Sequence, residues 1–180
     1  SYKELFEKSQ LIASFLKQHG VKKGDRVAIM LPNLLQYPIA IFGILQIGAI
    51  VVNTNPLYTV DELTAQLQDA EVSAIFVLNH FTSLINKVLA RFTIKTIIIT
   101  KIADLLPAPK RWLINFVVKH TQNLPKECQI QGSFFFRDAI KIGQKESVQD
   151  IELNHNDIDF LQYTGGTTGV AKGAMLTHGN

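Results

Sequence analysis

The residue pattern predicts an α/β fold, doubly wound, with a mainly parallel sheet and helices on both faces. Two observations carry this expectation. Val/Ile-rich runs recur about two dozen residues apart at Arg26–Met30, Ile50–Val52, Ala74–Leu78 and Thr96–Thr100, with helix-period segments between them. These runs are apolar without alternation, as expected of strands buried on both faces. A chain of 180 residues that is 47% hydrophobic and 18% charged has the means to build such a core.

The elements follow in order. Ser1 and Glu4 form a capping-box pattern, and Leu5, Ile12, Phe15 and Leu16 supply one apolar face up to a stop at Gly20, so the opening residues read as an amphipathic helix rather than a signal peptide. Gly24-Asp25 is a turn before the first strand, which Leu31-Pro32-Asn33 ends. Gln36–Ile47 is apolar almost all round and predicts a helix packed on both sides; the membrane-like stretch Pro38–Val52 is too short to span a membrane and is interrupted by Gln46 and Gly48. Thr59 and Glu62 repeat the capping pattern for a helix to about Asp69, and Phe81–Ala90 predicts another.

After Thr100 the rhythm changes. Pro107 and Pro109 mark Leu105–Pro109 as a linker, and Lys110–His120 predicts a helix with Trp112, Leu113, Phe116 and Val117 on one side and basic residues at its ends. Two readings of that helix stay open: an interfacial helix on an anionic membrane, or a surface helix docked on its own domain, which needs the same stripe. Phe134-Phe135-Phe136 reads as an apolar knot entering a short helix, Arg137–Ile142, and Gln144–Asn156 as a polar linker. The chain thus divides into a regular α/β part (1–100), an irregular linker with the basic helix (101–157), and a closing strand and loop (158–180).

The chemistry concentrates in Tyr163-Thr164-Gly165-Gly166-Thr167-Thr168-Gly169-Val170-Ala171-Lys172-Gly173-Ala174, four glycines and three threonines up to Gly173, with one lysine and no acid. Glycines let backbone N–H groups approach a ligand, threonine hydroxyls add donors, and a lysine adds mobile charge; together they describe a polyphosphate cradle. An ordinary Gly/Thr loop is the plain alternative, against which stands its setting after the strand pattern Ile158–Tyr163. It is not a Walker A loop, because Lys172 follows Ala171, precedes Gly173, and opens no helix pattern.

Other residue types narrow the field. A net charge of +3 is too small to argue for nucleic acid, and the single Cys128 allows no disulfide within the chain. His178 has no carboxylate or nucleophile beside it in sequence, so a structural or substrate-flanking role is expected of it.

The loop, with Met175-Leu176-Thr177-His178 after it, resembles the signature phosphate loop of the AMP-forming acyl- and aryl-adenylate enzymes. Lys23–Pro38 and Val52–Thr59, followed by Glu62-Leu63, resemble bacterial long-chain fatty-acid–CoA ligases within that superfamily. The likeness runs from Ser1 to Asn180, weakest over 101–110 and 121–150. It implies ATP-dependent activation of a fatty acid to an acyl-adenylate, then transfer to coenzyme A, with Mg²⁺ at the phosphates. It implies that residues 163–174 bind ATP, that Thr164 is the magnesium-side hydroxyl, and that Lys172 neutralises leaving charge as the catalytic residue; a merely solvated lysine is the alternative. It also implies a cytoplasmic protein, peripheral on the membrane's cytoplasmic face through Lys110–His120, with a homodimer as a further expectation. The acyl pocket, adenine site, acidic metal ligand and C-terminal catalytic lysine of the family have no counterpart in these residues. The chain is therefore expected to be the N-terminal part of a longer protein, and inactive alone. A medium-chain or aryl acid substrate, a phosphate-loop nucleotidase, and a non-enzymatic membrane- or partner-binding module remain as alternatives.

Overall fold

The first helix forms as its capping residues predict. Ser1 Oγ accepts from the Glu4 N–H at 3.4 Å while the Glu4 carboxylate accepts from the Ser1 ammonium at 3.0 Å, opening α1 (Tyr2–Gln18). Thr59 and Glu62 repeat the device at α3 (Val60–Asp69). The computed structural model describes residues 1–121, 127–144, 151–164 and 172–180, with the side chains of 119–121 excepted.

The remaining elements are β1 (Arg26–Met30), α2 (Gln36–Leu45), β2 (Ile50–Asn53), β3 (Val72–Leu78), a 3₁₀ turn (Asn79–Phe81), α4 (Thr82–Leu89), β4 (Thr96–Thr100), α5 (Ala108–Thr121), β5 (Phe134–Phe135), α6 (Phe136–Gly143), β6 (Ile158–Thr164) and β7 (Lys172–Thr177). The strands form one sheet of seven in the order β5-β4-β3-β1-β2-β6-β7, parallel throughout except that β7 returns antiparallel along β6. Successive residues of β1 point to opposite faces, and both faces are covered. Val27 and Ile29 pack with Phe15, Leu16 and Ile44 on the side of α1, α2 and α6, while Ala28 and Met30 pack with Leu63, Leu67 and Ile85 on the side of α3 and α4. The expected doubly wound architecture is what the chain builds. No helix among the described residues is long and apolar enough to cross a membrane.

Because β1 steps to β2 on one side and β2 steps back to β3 on the other, the loops leaving β1 and β2 diverge to opposite faces. Such a divergence opens a crevice at the carboxyl ends of the strands, where ligands of open α/β sheets bind.

Three local expectations need amendment. The helix after Thr100 begins at Ala108, inside the segment read as a linker, and the Arg111 N–H donates to the Pro107 carbonyl at 2.9 Å. Pro109 is tolerated because first-turn N–H groups have no helical acceptor anyway. Phe134 and Phe135 form an edge strand, opposite Ile98 and Ile99 of β4, and only Phe136 is fully buried, edge-on to Phe76 with ring centroids 6.1 Å apart. The segment 101–157 therefore contributes a strand and a core helix besides α5.

The contact of α6 with α1 is close enough to need a glycine: a Cβ on Gly143 would lie 1.9 Å from the Leu11 carbonyl oxygen. Gly143→Ala is expected to cost about 2–3 kcal/mol by forcing the helices apart, read as a lower denaturant midpoint by circular dichroism. At the other margin, Lys23 Nζ meets the Asp157 carboxylate at 2.7 Å, and the Asn154 N–H donates to the same carboxylate at 2.8 Å. The Lys23 hydrogen bond, then the Asn154 bond, hold Asp157 below its ordinary range, and the Lys23 charge adds to them. The folded pKa lies below the unfolded one, so this stabilisation is complete above about pH 4 and is lost as pH falls through the folded value. Asp157→Asn is expected to narrow the stability gap to the unmodified protein progressively over that acid range, in unfolding midpoints measured across a pH series.

Candidate functional site

The glycine-rich stretch emerges from the closing hairpin. Strand β6 lies parallel to β2 in the register Val51↔Phe160, Val52↔Leu161 and Asn53↔Gln162, so it ends at the same sheet edge as β1 and β2. β7 then runs back with Gly173 opposite Tyr163 and Lys172 opposite Thr164. Thr164 and Lys172 are both exposed and stand as neighbours across the ladder, at the two ends of residues 165–171. Lys172 opens a strand, not a helix, which agrees with the exclusion of Walker A geometry. Gly165, Gly166, Thr167, Thr168, Gly169, Val170 and Ala171 lie outside the described residues. Ala174, opposite Gln162, is exposed.

Tyr163 anchors the base of the hairpin. It is buried, its hydroxyl donates to Asp69 Oδ2 at 2.5 Å, and burial together with the Asp69 carboxylate pushes its phenol well above the ordinary tyrosine range. It therefore stays a protonated donor at working pH. Its ring also explains Gly173: a Cβ there would sit 3.1 Å from the ring's Cε2 and Cζ. One residue earlier, Gln162 Oε1 accepts from Asn53 Nδ2 at 2.9 Å, and Asn53 Oδ1 accepts from the Tyr37 hydroxyl at 2.8 Å. Gln66 on α3 donates to the Asn53 carbonyl at 3.0 Å. Side chains from α2, from β2 and from α3 thus converge on the last rungs of β6.

These residues wall a crevice of about 410 Å³, in which Asn33, Tyr37, Asn53, Asn55, Tyr58 and Gln162 stand with Tyr163. Among the described residues its lining is amide, phenol, the Thr54 hydroxyl and the aliphatic Ile29 and Leu31, with no charged side chain, so the positive charge of Lys172 stands beside a neutral wall. Burial pushes the Tyr37 phenol up as well, which keeps it a donor.

His178 is carried to the far end of the hairpin. Its N–H donates to the Asp157 carbonyl at 3.0 Å, beyond Thr177 and away from the Thr164–Lys172 pair, in keeping with a structural role. Among the described residues no group of three or more His, Cys, Asp or Glu could hold a metal ion.

Asp69, Asn53 and Tyr37 were not among the predicted site residues. Tyr37 and Asn53 lie within stretches that resemble the ligases, but their meeting with Gln162 joins segments 109 residues apart, and Asp69 meets Tyr163 across 94. No periodicity signals either pairing.

The chain is similar to known proteins over its whole length. The chain is 48% identical over 181 residues to a long-chain-fatty-acid–CoA ligase of Haemophilus influenzae, covering all of this chain and 32% of that protein. It is 42% identical over 171 residues to a long-chain-fatty-acid–CoA ligase of Bacillus subtilis, covering 94% of this chain and 30% of that one. The chain thus spans about a third of the length of the curated relatives it matches. In fold it is similar to the crystal structure of a long-chain-fatty-acid-CoA ligase from Archaeoglobus fulgidus, with TM-score 0.74 and 24% identity, covering 99% of this chain and 30% of that one. The AMP-binding enzyme family matches residues 1–180, and the chain belongs to that family.

Proposed function

We propose that this chain supplies the triphosphate grip of a ligase that activates a long-chain fatty acid with ATP and passes it to coenzyme A. The observation that carries the reading is the pairing of Thr164 with Lys172 at the carboxyl edge of a parallel sheet, framing a Gly/Thr-rich connection. In the reaction, a carboxylate oxygen bonds to the α-phosphorus of ATP as the bond to pyrophosphate breaks. The coenzyme A sulfur, having lost its proton, then bonds to the acyl carbon and AMP departs.

Charge builds on the leaving pyrophosphate in the first step. In this reading the glycine N–H groups and the Thr164, Thr167 and Thr168 hydroxyls orient the β- and γ-phosphates, and the Lys172 ammonium neutralises the growing charge. The Thr164 hydroxyl is the chain's contribution toward Mg²⁺, which when bound supplies further neutralisation at the phosphates. The Tyr163–Asp69 and Asn53–Gln162 bonds hold the strand that feeds the loop, a positioning role. A long acyl chain partitions into lipid, so the reading includes a peripheral contact with an anionic membrane on its cytoplasmic face.

The test is pyrophosphate exchange into ATP by the full-length protein. Exchange is expected with palmitate and not with benzoate, and to stop when magnesium is chelated. Lys172→Met is expected to lower the exchange rate by about 10²–10³-fold with an unchanged circular dichroism spectrum. Exchange with aryl acids alone, or steady conversion of ATP to ADP, would overturn the assignment.

A further inference from the structure

Side chains alternate along β6, so Gln162 and Thr164 share one side of the sheet and Tyr163 takes the other. Residues opposite one another in a ladder share a side as well. Lys172 therefore stands with Thr164, and Ala174 and Asn53 stand with Gln162. This is the side of α1 and α2, because Ile29, the partner of Asn53 on β1, is buried in the core beneath those helices. Gln162 thus lies one rung below the Thr164–Lys172 pair on the same face, about 6–7 Å along the strand. Exposed Ala174 has only a methyl group to set beside it.

The amide of Gln162 has a fixed polarity. Burial keeps the Tyr37 phenol protonated, and its O–H donates to Asn53 Oδ1 at 2.8 Å. With its oxygen so engaged, Asn53 offers its nitrogen to the next residue, and Nδ2 donates to Gln162 Oε1 at 2.9 Å. The reverse order would leave the half-buried Tyr37 O–H without this acceptor. Gln162 Nε2 is left with two N–H donors and no hydrogen-bond partner among the described residues. Gln162 also lines the crevice of about 410 Å³, whose lining among the described residues holds no carboxylate to take those donors.

A strut between β6 and β2 would use only the oxygen of this amide. The spare nitrogen adds a neutral donor to the hydroxyl of Thr164 and the ammonium of Lys172 on one face. Donors of this kind, gathered without an acid, suit the oxygens of a polyanion.

We infer that Gln162 is a further phosphate contact, its Nε2 donating to an oxygen of the β- or γ-phosphate of ATP held at Thr164 and Lys172. Tyr37 and Asn53 are positioning residues in this arrangement, since they decide which end of the amide meets the ligand. The inference rests on the phosphate-grip reading and adds to it a contact and the relay that orients it.

The experiment is isothermal titration of the full-length protein with α,β-methylene ATP and with AMP, which lacks the β- and γ-phosphates. Gln162→Glu keeps an acceptor for Asn53 and replaces the donor with a negative oxygen. It is expected to raise the Kd for the ATP analogue about tenfold or more, with the Kd for AMP and the denaturant midpoint unchanged. The KM for ATP in pyrophosphate exchange should rise by a similar factor. Asn53→Asp makes Gln162 turn its nitrogen to the new carboxylate and its oxygen to the crevice, so a smaller loss confined to the ATP analogue is expected. Should Gln162→Glu fail to fold, Asn53→Asp decides by the same two titrations. Unchanged binding of the ATP analogue overturns the inference, as do equal losses for the analogue and AMP, the mark of a strut alone. No binding of the analogue to the unmodified protein overturns both the contact and the grip. Exchange with palmitate that is indifferent to Gln162→Glu removes the contact and leaves the ligase reading. Selective loss of the analogue in a protein that exchanges with no acid does the reverse.

Discussion

The pairing of β6 with β2 is the constraint on which the candidate site depends. The chain leaves β2 at Asn53 and returns along the same strand only at Ile158, after building the β3–β5 wing on the other side of β1. The register Asn53↔Gln162 puts Tyr163 and Thr164 at the carboxyl edge of the sheet. A slip of one residue would exchange the two faces of β6 and turn Tyr163 away from Asp69. Hydrogen bonds hold the strand at both ends: Lys23–Asp157 at the start, Asn53–Gln162 and Tyr163–Asp69 at the finish. The Tyr163–Asp69 bond joins a buried phenol to an exposed carboxylate, and the Lys23–Asp157 pair is exposed to solvent, so each adds a modest increment to the backbone pairing.

Electrostatics at that edge are simple. Among the described residues a neutral wall, largely of amides and phenols, stands beside the ammonium of Lys172, and burial raises the phenols of Tyr163 and Tyr37, which stay protonated. An anion reaching the hairpin thus meets donors and, among the described residues of the crevice lining, no carboxylate, while Asp69 is engaged by Tyr163.

Much of this was legible in the residues. Ile97-Ile98-Ile99 and Val51-Val52 read as buried strands, and Ser1–Glu4 and Thr59–Glu62 announced their helices. Less was legible wherever the outcome depended on a distant partner. The stripe on α5 reads the same whether it faces in or out, because periodicity defines a face and not what covers it. Phe134 and Phe135 are too few to show strand alternation, and they pair only because β4 offers an open edge. The Tyr37–Asn53–Gln162 chain and the Tyr163–Asp69 bond join residues that become neighbours only once the sheet is assembled.

The central claim is that Thr164 and Lys172 frame a grip on ATP's phosphates. The most direct measurement is a crystal structure of the full-length protein with Mg²⁺ and α,β-methylene ATP. The account predicts the Lys172 ammonium within about 3 Å of a β- or γ-phosphate oxygen, with glycine N–H groups of residues 165–173 turned toward the same phosphates. Phosphates bound elsewhere, with Lys172 directed into solvent, would contradict it.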